Sequence, residues 1–102
     1  MNFEWDEGKN KQNIRKHDLD FFDAWEIFES PVLVGRDTRE HYGEDRFIGI
    51  GFLRHLIVVV VFTEKDGDII RIISLRRAKK YEREEFFKFI KNELGPSGEN
   101  DR

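Results

Sequence analysis

The chain has no cysteine and only two prolines, and its apolar stretches are short. The first absence removes disulfide frameworks, thiolate zinc sites and thiol nucleophiles, so no oxidising compartment is needed. The longest apolar run, LIVVVVF from Leu56 to Phe62, falls far short of the ~20 residues of a membrane helix. The start, MNFEWDEGK, carries no apolar run behind basic residues, which is not the pattern of a signal peptide. The expectation is a cytoplasmic protein with no membrane partner. His17, His41 and His55 show neither HxH nor HxxxH spacing, and there is no glycine-rich phosphate loop and no GxSxG elbow. No metal site and no cofactor is therefore expected.

What is present is a folding composition for one domain of 102 residues, with 14% aromatics against 38% charged residues. A domain of this size buries only ~60–70% of its unfolded surface, so dense packing or a partner must supply stability. The net charge of −3 conceals a segregation. From Asp18 to Asp45 the acids Asp18, Asp20, Asp23, Glu26, Glu29, Asp37, Glu40, Glu44 and Asp45 outnumber Arg36 and Arg39. From Arg71 to Arg83 the bases Arg71, Arg76, Arg77, Lys79, Lys80 and Arg83 face only Glu82. A basic stretch of that density points to nucleic acid.

Along the chain, Phe3-Glu4-Trp5 reads as a short strand and Asp6 as the N-cap of a helix from about Glu7 to Lys16, broken at His17-Asp18. Ile14 is the only apolar residue inside that helix, so it reads as a surface helix. Asp20 starts a second helix with a broad apolar face of Phe21, Phe22, Ala24, Trp25, Ile27 and Phe28, and Ser30-Pro31 stops it. Val32 to Val34 reads as a strand. Arg46 to Leu53 is a strand with Gly49 and Gly51 on one side, where something must approach closely. LIVVVVF reads as a central strand covered on both faces, Lys65-Asp66-Gly67-Asp68 as a hairpin turn, and Ile69 to Leu75 as the next strand. Ala78 to Glu93 forms the last helix. No internal repeat is evident. The order predicts an α+β fold: two N-terminal helices and a C-terminal helix packed on a mostly antiparallel sheet, one domain over 1–94 and a disordered tail over 95–102.

Strict alternation would place Ile70, Ile72, Ser74 and Arg76 on one face of the last strand and Ile69, Arg71, Ile73 and Leu75 on the other. An arginine amid apolar strand residues needs a carboxylate, a cleft or a ligand phosphate, so Arg71 either pairs with Glu44 or Glu64 or binds phosphate. Arg76, Arg77, Lys79 and Lys80 add positive field at the start of the last helix, and phosphate is a natural partner for them. The plainer reading of the exposed cations is a solvated helix face. Glu44 and Glu64 are candidate general bases or ion-pair partners, and His17, near Lys9 and Lys16, is a third candidate.

Several of these residues come together in a resemblance. Trp5-Asp6 with Lys9, Asn13, Lys16 and His17, the Glu44 and Arg46 pair, and Ile73-Ser74 with Arg76, Ala78 and Glu82 resemble the BrnT toxins of bacterial type II toxin-antitoxin systems, over Phe3 to Glu84. The resemblance implies a RelE-like fold, a metal-independent ribonuclease that arrests growth, and a ribbon-helix-helix antitoxin of the BrnA type. It also implies a toxin-antitoxin complex, expected as a heterotetramer, that reaches operator DNA only through the antitoxin and represses its own operon. The acidic net charge and the extra helix after Glu84 depart from the pattern. For RNA cleavage, Arg71 and Arg76 would stabilise phosphate with Lys9 assisting, Glu44, Glu64 or His17 would handle protons, and Arg46, Arg77, Lys79 and Lys80 would bind RNA. The rival expectations are a nucleic-acid module that binds without cutting and an interaction protein that docks an acidic partner.

Overall fold

A computed structural model describes the backbone of residues 1–100 and the side chains of residues 1–93; the tail expected over 95–102 lies outside the fully described residues. Five strands form one sheet in the order β1-β5-β4-β3-β2. They are β1 (Asn2–Trp5), β2 (Leu33–Arg36), β3 (Phe47–Leu53), β4 (Leu56–Lys65) and β5 (Ile69–Arg77). The helices are α1 (Glu7–His17) and α2 (Lys80–Asn100), with a 3-10 helix over Phe21–Glu29 between α1 and β2. The sheet is mixed rather than simply antiparallel. β2, β3, β4 and β5 pair antiparallel, whereas β1 runs parallel to β5 at the edge, with Trp5 opposite Ile72.

Strand β4 is the centre, as its β-branched run demands. Val58, Val60 and Phe62 join Leu19, Phe21, Ala24, Ile27, Ile70, Ile72 and Leu75 in the main core on one face, and Val59, Val61 and Thr63 are buried on the other. Each such aliphatic side chain contributes about 1.5–3 kcal/mol of transfer free energy. On that second face α2 packs through Phe86, fully buried, whose ring meets Phe52 edge-on at 5.0 Å.

Two local departures from expectation decide where side chains go. The second helix is 3-10 rather than α because its sequence repeats every three residues, FFD-AWE-IFE, matching three residues per turn. Phe21, Ala24 and Ile27 form one row and are buried; Phe22, Trp25 and Phe28 form the second; Asp23, Glu26 and Glu29 the third, with the cap Asp20 in line. An α-helix at 3.6 residues per turn would have rotated these rows out of register.

The other departure is a bulge in β5. Val61 pairs with Ser74 and Phe62 with Ile72, leaving Ile73 as the extra residue. Alternation therefore slips by one. Ile70, Ile72 and Leu75 all enter the main core, and Arg71, Ser74 and Arg76, opposite Thr63, Val61 and Val59, share the second face instead of lying on opposite ones.

Candidate active site

Helix α1 is held by polar residues. Its start is capped by Asp6, whose carboxylate accepts from the Lys9 amide at 3.0 Å, and its end closes at Asp18 in the left-handed region with φ 58°. Asn10 and Asn13 are its buried residues. The Asn13 side chain accepts from the Leu75 amide at 3.2 Å and donates to the Leu75 carbonyl at 2.8 Å and the Leu19 carbonyl at 3.0 Å. It behaves as one residue of a missing strand: β1 pairs with the first part of β5, and beyond Ile72 the Asn13 amide takes over. Asn10 likewise accepts from the Phe21 amide and donates to Asp20, which fixes the 3-10 helix to α1.

With Asn13 pinned to the strand edge, Lys9, Gln12 and Lys16, spaced three and four apart, must lie on the same side of α1. They line a cleft of about 280 Å³ with His17, Ile73 and Ser74. The bulge is what brings Ile73 and Ser74 there. Arg77 donates to the His17 carbonyl at 2.9 Å, tying the end of β5 to the end of α1. Burial pushes the His17 imidazole below its ordinary pKa of 6.5, and the positive charges of Lys16, Arg76 and Arg77 push it the same way. That shift favours the uncharged ring, in which one nitrogen can accept a proton.

Arg76 stands beside this cleft in a bidentate pair with Glu82, both contacts at 2.8 Å. Glu82 also accepts from the Lys79 amide at 2.7 Å, so one carboxylate caps α2 and holds the guanidinium. The Arg76 charge keeps the Glu82 carboxyl below the usual range. Of the expected site residues, the structure thus brings Lys9 and His17 into one cleft, with Arg77 tied to the His17 carbonyl and Arg76 held by Glu82 nearby. Lys79 and Lys80 are exposed at the entry to α2.

The others lie elsewhere. Arg71 pairs with Glu4 at 2.9 Å, on the adjoining strand β1, and not with Glu44 or Glu64. Glu64 is exposed towards the far end of β4, one residue from the hairpin turn. Glu44 sits 3.5 Å from Arg46, which stacks over the Tyr42 ring at 4.0 Å. Both belong to the loop between β2 and β3, organised by the buried Asp37. Its carboxylate binds Arg39 through two contacts at 2.8 and 2.7 Å and accepts from Tyr42, and these bonds hold it down to a pKa of about 2. Gln12, Lys16 and Ser74 were not expected as site residues. The helical spacing of Lys9, Gln12 and Lys16 carried a signal for the first two, whereas Ser74 depends on a bulge that alternation does not foresee. Among the described residues no three His, Asp or Glu side chains converge as a metal site would require.

A lone neutral imidazole within a cationic cleft suits proton abstraction next to a bound anion. Comparison with known proteins gives the family. Residues 5–82 match the family model described as "Ribonuclease toxin, BrnT, of type II toxin-antitoxin system". The crystal structure of the ribonuclease toxin BrnT of Brucella abortus superposes with a TM-score of 0.65 at 33% identity, covering 78% of this chain and 99% of that one. No match is found among curated proteins.

Proposed function

The chain belongs to the BrnT family of ribonuclease toxins of type II toxin-antitoxin systems, and from that premise we propose that the α1-β5 cleft is its active site and cuts RNA internally without a metal. The observation that carries the reading is His17, kept neutral by burial and by the surrounding cations, among Lys9, Lys16 and Ser74. In this scheme His17 takes the proton of a ribose 2′-OH. The 2′ oxygen attacks the adjacent phosphorus, the bond to the 5′ oxygen breaks, and the products are a 2′,3′-cyclic phosphate and a 5′-OH. Lys9, Lys16 and the Arg76-Arg77 pair of cations offset charge on the phosphoryl oxygens, and a lysine ammonium protonates the leaving oxygen. Arg71, Arg46, Glu44 and Glu64 have no step in it.

The family likeness further supports a RelE-like fold, cytoplasmic action, and a ribbon-helix-helix antitoxin of the BrnA kind in a heterotetramer that binds operator DNA through the antitoxin and represses its own operon.

His17→Ala tests the proposal, because the side chain can go while its carbonyl still receives Arg77. Cleavage of single-stranded RNA in EDTA should fall by roughly 10²–10⁴-fold, with growth arrest lost and the melting transition retained. In the wild-type protein kcat/KM should be flat above pH 6.5 and fall tenfold per unit below a midpoint under 6.5, since protonated His17 cannot accept. Undiminished cleavage by His17→Ala, or an acid limb centred above 6.5, would exclude His17 as the base.

A further inference from the structure

The 3-10 helix leaves Phe22 and Trp25 of its second row, and the acids of its third, at the surface. Phe22 is 65% and Trp25 46% exposed, and together with Met1, Phe3, Trp5 and Glu29 they border a groove of about 480 Å³. Trp5 braces Phe22 edge-on at 6.4 Å, so the aromatic wall is fixed rather than loose. Contiguous exposed aromatics on a small domain mark interaction sites, and Trp supplies the strongest anchors. Beside them runs the acidic row of Asp20, Asp23, Glu26 and Glu29. No lysine or arginine occurs from His17 to Gly35, and among the described residues the salt bridges to the row come from Arg54, which reaches Asp23 at 3.3 Å and Glu26 at 3.1 Å. Apolar surface edged by unbalanced negative charge selects a basic amphipathic occupant and repels RNA.

We propose that the Phe22-Trp25 groove with its acidic edge is the docking surface for an amphipathic segment of the cognate antitoxin, one with aliphatic or aromatic anchors flanked by lysine and arginine. The antitoxin is the occupant because a type II toxin of this family has a protein partner, and because a second copy of the chain related by a two-fold axis would set acidic row against acidic row. The inference rests on family membership and not on the cleavage chemistry of the cleft.

The purified chain and the purified small protein encoded beside it are mixed and followed by calorimetry, and the same pair is co-expressed. Phe22→Ser with Trp25→Ser should weaken binding at least 100-fold and restore growth arrest in the presence of antitoxin. Glu29→Lys alone should weaken binding severalfold and flatten the salt dependence of the affinity. RNA cleavage without antitoxin should stay unchanged in both, and a wild-type protein that cuts no RNA would overturn the proposed chemistry while leaving this binding measurement intact. Unchanged affinity in either variant, with the fold verified by thermal melting, overturns the docking surface; if the aromatic double variant does not fold, Glu29→Lys decides. A wild-type dimer in sedimentation that Trp25→Ser dissociates would overturn it in favour of a second copy.

Discussion

Asn13 shows how a residue can be decisive and hard to read. Asparagine on a helix with a single apolar residue suggests a solvated face, yet Asn13 is 7% exposed and serves three backbone groups. Only the three-dimensional edge of β5 reveals the need. Asp6, by contrast, was legible, because N-cap chemistry is local. Arg71 was legible in kind only: its strand position required a carboxylate, a cleft or a phosphate, and Glu4 is identified as its partner only once β1 is known to lie beside β5. Asn13→Ala leaves two carbonyls and the Leu75 amide without partners at a buried site, each loss costing about 1–3 kcal/mol where water cannot enter. The expected result is a loss of about 2–4 kcal/mol in urea unfolding together with reduced cleavage, since α1 carries Lys9, Lys16 and His17. A change under about 0.5 kcal/mol would show that the strand edge is satisfied some other way.

At the scale of elements, the glycines of β3 and the bounds of the helix that meets them were legible, and the type of that helix was not. Close approach at Gly49 and Gly51 was expected, and a Cβ on Gly51 would stand 2.9 Å from the Ile27 Cγ2 methyl. Ile27 is fully buried in the inner row of the 3-10 helix and cannot retreat. Taken by content alone the apolar residues of that helix suggest one broad face, whereas the period of three in FFD-AWE-IFE sorts them into rows. The β5 bulge had no comparable signal in the sequence. Gly51→Ala should cost about 1–3 kcal/mol through forced displacement of the 3-10 helix, and antitoxin affinity should fall with it, because Phe22 and Trp25 ride on the same element. A melting temperature equal to the wild type's would mean that Ile27 can repack.

For the whole molecule, the segregation of charge seen in the sequence becomes a separation of surfaces. Lys9 and Lys16 line the cleft between α1 and β5 and Arg77 is tied to the His17 carbonyl at its end, whereas the acids from Asp18 to Glu29 follow the 3-10 helix. The basic stretch 71–83 is not one patch: Glu4 takes Arg71, Glu82 takes Arg76, and α1, rather than the stretch itself, contributes the lysines of the cleft. Sequence distance hid that contribution, because α1 and β5 are joined only through the topology of the sheet. The net charge of −3 then has a consequence for binding. RNA attraction must come from a few short-range contacts working against a distant acidic surface, so affinity should be modest and its salt dependence shallow. With about three phosphate contacts and a slope near −0.7 per contact for single strands, affinity should fall roughly 20-fold between 50 and 200 mM salt. Lys16→Ala should remove about 0.7 from that slope while sparing the fold. A slope near zero would place RNA outside the α1-β5 cleft, and one steeper than about −4 would require cations beyond those that reach it.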